Sequence, residues 1–142
     1  RCEMLALATA GVPEFVVKRI ELDRDDVSWT VDTLRGIRET NPEDELFLLI
    51  GADSLSDLPT WREPEAIAEL ATIVAVNRGD AEPVCVEGLS PLIRDRVRFV
   101  TMPGVGISAT DIRTRVAEGR SIRFLVSRAV EQFILERGVY SS

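Results

Sequence analysis

Two periodicities alternate along this chain. Met4, Leu5, Leu7 and Ala8 form the inner stripe of a helix over residues 1–10. Gly11-Val12-Pro13 stops it, because glycine takes the left-handed turn and proline has no backbone donor. Phe15-Val16-Val17, Ile20 and Leu22 predict a short strand ending in the acidic run 23–26. A helix follows from about Thr30, with Val31, Leu34 and Ile37 on one face, and ends at Asn41-Pro42. Residues 45–50 predict the strongest strand, and its run Leu46-Phe47-Leu48-Leu49-Ile50 does not alternate. Both of its faces are therefore expected to be buried, as in a parallel sheet covered by helices.

Pro64 suits the first turn of a helix carrying Ala66, Ile67 and Leu70, and residues 72–76 predict a second buried strand. Residues 77–96 read as irregular, punctuated by Gly79, Pro83, Gly88 and Pro91, before a third strand over 97–101. Two helices close the chain, 108–118 and 127–137, each with a serine N-cap and a glycine just past its end. Strands and helices that alternate in this way, with strands this apolar, predict a doubly wound α/β sheet.

The 142 residues are expected to form a single domain, with a 45% hydrophobic and 29% charged composition in the ordinary globular range. No apolar run approaches the roughly 20 residues needed to span a bilayer, so no membrane partner is expected. Cys2 and Cys85 fit a reducing, cytoplasmic compartment. The chain has no histidine, which removes the commonest general base and metal ligand.

The net charge of −7 argues against a nucleic-acid surface. The charge is nevertheless divided: residues 1–89 hold 8 basic and 19 acidic side chains, whereas residues 90–142 hold 9 and 5, all nine basic ones arginine. Most of these arginines are expected on solvated helix faces. Some could bind a phosphorylated small molecule, since the guanidinium fork matches phosphate oxygens.

Ligands of open parallel sheets bind beyond the carboxyl ends of the strands, and three patches fall there. Gly51-Ala52-Asp53-Ser54 follows the strongest strand, where a glycine admits a ligand to the backbone and a carboxylate can accept from ribose hydroxyls. It reads equally as a turn in which Asp53 or Ser54 caps a helix. Trp61, in the polar loop Leu58-Pro59-Thr60-Trp61-Arg62-Glu63-Pro64, is placed either to lid the core or to stack on a flat heteroaromatic ring. In 103–113 a strand passes through Gly104 and Gly106 into a helix opened by Ser108, with Asp111 as capping-box partner. Its free N–H groups, the hydroxyls of Ser108 and Thr110, and Arg113 make a candidate phosphate site. Walker and G-x-G-x-x-G loops are absent, disfavouring P-loop chemistry and hydride transfer.

Four stretches, Ser28-Trp29-Thr30-Val31-Asp32-Thr33-Leu34, Leu49-Ile50-Gly51-Ala52-Asp53-Ser54, Leu58-Pro59-Thr60-Trp61 and Ile107-Ser108-Ala109-Thr110-Asp111-Ile112-Arg113, resemble in order and spacing the bacterial nicotinate mononucleotide adenylyltransferases. The resemblance covers the chain from about Arg1 to Tyr140. It implies the C-terminal part of a Rossmann-like nucleotidyltransferase fold, mostly parallel, with helices on both faces. It also implies transfer of the adenylyl group of ATP to nicotinate mononucleotide, with magnesium carried on the ATP phosphates and no metal held by protein ligands. By the same likeness Gly51, Asp53, Ile107, Ser108, Thr110 and Arg113 would bind ATP, Arg113 stabilising its phosphates. Thr30, Trp61 and Arg78 would bind the mononucleotide.

The chain departs from that family in two ways. Trp29 stands where a tyrosine is common, and the histidine-bearing first strand–helix element of the family has no counterpart, so the sequence resembles a chain shortened at its start. The 142 residues alone are accordingly expected to be nearly inactive and to self-associate through exposed apolar surface. The alternative is a non-catalytic α/β module that binds a nucleotide or a protein. A phosphopantetheine-directed relative is a third option, disfavoured by Leu58-Pro59-Thr60-Trp61.

Overall fold

The computed structural model describes residues 1–79, 86 and 88–141, with the side chain of Arg78 not among the described parts. The chain divides into two compact units, Ile20–Val105 and a second made of Arg1–Arg19 with Gly106–Ser142.

The unit Ile20–Val105 is built on a parallel sheet of three strands in the order β1 (Phe47–Gly51), β2 (Thr72–Arg78), β3 (Val97–Met102). The register pairs Leu48 with Ile73 and Ile73 with Val97, so these residues share one face with Ile50 and Ala75. That face meets Val31 and Leu34 of α2 (Thr30–Thr40), Leu55 of α3 (Ala52–Asp57), and Leu58 of the 3₁₀ turn Leu58–Thr60. Ile67 and Ala68 of α4 (Pro64–Leu70) and Ile93 of α5 (Pro91–Arg96) complete the cluster.

The opposite face is open in this unit: Phe47, Leu49, Val100 and Met102 are exposed. The unbroken apolar run of β1 therefore does not mean burial on both sides here, since the helices that share this core cover one face only. Guanidinium groups close the core's edges. Arg38 donates to the Leu70 carbonyl at 3.0 Å and Arg96 to that of Ala68 at 2.9 Å, satisfying acceptors that the last turn of α4 leaves unpaired. Arg96 thus serves the fold rather than a phosphate.

Other expectations change as well. Residues 12–29 form turns and irregular backbone, with Phe15, Val16 and Leu22 exposed. The predicted strand over 15–22 is absent, since an apolar alternation makes a strand only where a neighbour supplies the ladder. Within 77–96, α5 forms because Pro91 occupies its first turn, where a missing N–H costs nothing. After β1 the chain enters α3 at once, with Gly51 as N-cap and no side-chain cap from Asp53 or Ser54.

In the second unit, α6 (Ala109–Ala117) and α7 (Arg128–Arg137) follow the predicted punctuation closely. Ser108 and Ser127 cap their starts by accepting from the backbone N–H three residues on, and Gly138 ends α7 at φ 60°. Ile112, Ile122, Val130 and Ile134 form the core. Of the stripe expected on α1 (Cys2–Thr9) only Met4 packs against that cluster, while Leu5 and Leu7 stay exposed.

Candidate functional site

The loop between β1 and α4 and the start of α2 create a recess in the unit Ile20–Val105. Ser28, Trp29 and Thr30 face Thr60, Trp61, Arg62 and Ile67 across a cavity of about 270 Å³. Sequence and packing explain its walls. Leu58 is fully buried and anchors the 3₁₀ turn, so Trp61 leaves that turn with its ring against the core and one side open to the cavity. Trp61 therefore packs on the core and also lines the cavity. Ile67, fully buried in α4, gives an apolar floor.

The rim is charged. Asp32 lies 3.6 Å from Arg35 and 3.7 Å from Arg62, and Glu63 lies 2.5 Å from Arg35 and 3.7 Å from Arg62, closing a ring of alternating charges. Only the Arg35–Glu63 pair is tight: two guanidinium nitrogens donate to the two carboxylate oxygens, at 3.3 and 2.5 Å. That hydrogen bond holds the Glu63 carboxyl below its ordinary value and raises the Arg35 guanidinium above its own. Glu63 also adopts φ 51°, left-handed for a side chain that gains nothing from it. Pro64 disfavours the right-handed conformation in the residue before it, and the fork of Arg35 fixes the carboxylate that results. Arg62, next along, lies over the Trp29 ring at 5.6 Å from its centroid.

The structure thus brings Thr30 and Trp61 into one recess. Gly51 and Asp53 do not line it. Gly51 ends β1 with open space where a Cβ would stand, so the surrounding fold does not require a glycine there. Asp53 is exposed in the first turn of α3. Arg78 ends β2 in register with Met102, and its side chain lies outside the described residues. Gly79 follows at φ 51° and approaches Gly104, whose backbone N would be 3.4 Å from an added Cβ.

In the other unit, Ser108 accepts from the Asp111 N–H at 3.0 Å, and Arg113 donates to the Thr110 hydroxyl at 3.1 Å. Ile107, Ser108, Thr110 and Arg113 are all exposed. Asp111 does not close the expected capping box. Its carboxylate takes Arg115 at 2.8 Å, one turn on, which gains a side-chain ion pair in its place. Arg113 also borders a cavity of about 630 Å³ with Ala109, Ser127, Val130 and Tyr140.

Sequence reasoning missed the charged rim and the part of Arg62 in it. The i,i+3 spacing of Asp32 and Arg35 was visible, but their meeting with residues 62 and 63 depends on the tertiary placement of α2 against the loop.

Residues 1–115 match the cytidylyltransferase-like family model. A Thermus thermophilus protein named "probable nicotinate-nucleotide adenylyltransferase" is 48% identical over 140 residues, covering 99% of this chain and 72% of that protein. A Thermomicrobium roseum protein of the same name is 44% identical over 142 residues, covering 99% and 66%. Among solved structures, a Plasmodium falciparum nicotinic acid mononucleotide adenylyltransferase complexed with APC superposes with a TM-score of 0.70 at 15% identity, over 97% of this chain and 72% of that one. That likeness establishes the α/β fold predicted from the alternation of strands and helices. The chain belongs to the cytidylyltransferase-like family, in the group of its nicotinate-nucleotide adenylyltransferase relatives.

Proposed function

We propose that this chain acts in the transfer of the adenylyl group of ATP to nicotinate mononucleotide, forming nicotinate adenine dinucleotide and pyrophosphate. One observation carries the reading: Thr30 and Trp61, distant in sequence, line a single recess with an apolar floor. Its size suits the assignment. A cavity of about 150 Å³ holds a benzene ring, so about 270 Å³ takes a substituted pyridine ring and leaves ribose and phosphate outside. Trp61 would stack on the ring.

The remaining roles follow from the chemistry of the groups. Gly51 leaves the end of β1 unobstructed for a ribose, and Asp53 is exposed to accept from its hydroxyls. At α6, Ser108 keeps its O–H donor after serving as acceptor, Arg113 keeps most of its donors, and the helix start favours anions. With Ile107 and Thr110 these groups would bind the triphosphate, and Arg78 would contact the mononucleotide phosphate.

A mononucleotide phosphate oxygen attacks the α-phosphorus of ATP, the bond to the bridging oxygen breaks, and pyrophosphate leaves with the displaced electron pair. No side-chain nucleophile is needed; positioning and charge neutralisation lower the barrier. Magnesium would be carried by the triphosphate and water. When bound, that ion would neutralise phosphate charge. No described helix is long and apolar enough to cross a membrane.

Equilibrium binding of nicotinate mononucleotide tests the reading. Trp61→Ala is expected to weaken it roughly fivefold to a hundredfold, as loss of an aromatic stacking wall does at about 1–3 kcal/mol per base. Unchanged affinity in that variant refutes the assignment. No affinity for a nucleotide in any form would favour a non-catalytic module instead.

A further inference from the structure

We infer that Arg35 and Glu63 are positioning residues: their ion pair holds the backbone at residue 63 left-handed and thereby fixes where Trp61 stands opposite Thr30. This rests on the reading of the recess as the pyridine-nucleotide site.

The two walls of the recess belong to different elements. Ser28, Trp29 and Thr30 lead into α2, whereas Trp61 and Arg62 follow the 3₁₀ turn. Leu58 anchors that turn in the core and Ile67 anchors α4, so residues 61–63 bridge two fixed points. Among the described residues, the only hydrogen bonds between α2 and residues 58–63 are the two that Arg35 donates to Glu63. The contacts of Arg62 with Asp32, at 3.7 Å, and with the Trp29 ring lie beyond hydrogen-bonding distance. The spacing of the two walls at the rim therefore depends on one pair.

Glu63 departs from what its place beside α4 favours. It is the N-cap, and its carbonyl accepts from the Ile67 N–H at 3.1 Å, yet its backbone sits at φ 51° where N-caps are ordinarily extended. Its side chain caps nothing in α4 and reaches Arg35 instead. Two local preferences are lost at one residue. Such a backbone persists only where its surroundings over-determine it, and here Pro64 acts from one side and the Arg35 fork from the other. Return of residue 63 to the extended region would redirect the chain just before it, where Trp61 lies, while the buried anchors stayed in place. The pair is exposed at 43% and 44%, so its effect has the size of a surface ion pair with good geometry.

The test reads Trp61 in the full chain without and with ligand. In a Trp29→Phe background Trp61 is the one tryptophan, and acrylamide quenching reports its accessibility. Arg35→Gln and Glu63→Gly are each expected to raise the quenching constant. Each should also weaken nicotinate mononucleotide binding roughly twofold to fivefold, the ceiling set by an exposed pair, with ATP affinity unmoved. Glycine takes φ 51° without steric cost, so E63G should melt near the wild type, and its lost affinity cannot be ascribed to unfolding. Arg35→Lys keeps the charge without the fork and should recover part of the R35Q loss. The double variant R35Q/E63G should lose no more than the larger single loss, because the two side chains act as a unit. Unchanged quenching and affinity in R35Q and E63G, or additive losses in the double variant, overturn the inference. The recess reading survives that result if Trp61→Ala still weakens mononucleotide binding. If Trp61→Ala leaves binding unchanged, the recess reading falls, and the quenching constants alone decide whether the pair positions Trp61.

Discussion

The Trp61 recess and the start of α6 present groups to a ligand in opposite ways. The recess is a rigid concavity: its anchor Leu58 and floor Ile67 are fully buried, and four charged side chains brace its rim. The start of α6 is a row of exposed side chains that satisfy one another, Ser108 with the Asp111 N–H and Arg113 with Thr110. A recess gains affinity through shape and through contacts fixed before the ligand arrives. A helix start gains it through charge and unpaired donors. Shape suits discrimination between similar rings, and charge suits a grip on phosphates.

The largest separation should come from the core. Leu58→Ala removes a fully buried side chain, which costs about 2–5 kcal/mol, and it loosens the turn that carries Trp61. Ile134→Ala, at 2% exposure in the core of the other unit, should cost a similar amount. Denaturant titration of both variants, paired with mononucleotide binding under native conditions, breaks or sharpens the contrast. L58A is expected to lose affinity beyond what its folded fraction explains, and I134A is not. Equal losses would mean that the recess merely reports global stability.

Next in size is Arg113→Ala. Removing a charge-assisted phosphate contact is worth about 1.5–3 kcal/mol, or roughly tenfold to a hundredfold in ATP affinity. Nicotinate mononucleotide affinity should not move. A parallel fall in both affinities would remove the division of labour between helix start and recess.

Ser108 allows a finer test because its two roles separate. Ser108→Ala loses the cap, at about 1 kcal/mol, whereas Ser108→Asp keeps a capping acceptor and adds a negative charge. S108D should therefore melt near the wild type and bind ATP more weakly than S108A does. If S108D binds ATP as well as S108A, the helix start is a structural cap only.

How much of this was legible depends on the range of the interaction. The serine and glycine punctuation of α6 and α7 is local, a side chain meeting a backbone group a few residues away, and the sequence displays it directly. The parallel strands were legible too, because β-branched and apolar runs have few alternatives. The strand expected over 15–22 fails because pairing needs a neighbour that a linear pattern does not contain. Within the site, Trp61 stood out as an aromatic in a polar loop. Arg62 did not, since an arginine beside a glutamate looks like any solvated pair until α2 brings Asp32, Arg35 and Trp29 to it. The place of Gly51 at the end of β1 was legible, yet the open space beside it becomes visible only in three dimensions.

The smallest expected effect concerns the rim itself. The Arg35 hydrogen bond depresses the Glu63 carboxyl from its ordinary 4.5, so the folded state binds the Glu63 proton more weakly than the unfolded chain does. Stability from this pair is therefore present in full above about pH 4.5 and is lost as pH falls through the lower folded-state value. The Arg35 guanidinium is raised above its ordinary value by the same hydrogen bond, so it stays charged throughout this range. Glu63→Gln keeps the side-chain size and an acceptor but removes the titration. The difference in melting temperature between wild type and E63Q should be constant from neutral pH down to about pH 5 and shrink below it. Because both partners are exposed, that difference is small and is screened by salt, so the measurement belongs at low ionic strength. A difference that does not change between pH 5 and pH 3 would show that Glu63 keeps its left-handed backbone without help from Arg35, and that the rim is braced by Pro64 and packing rather than by charge.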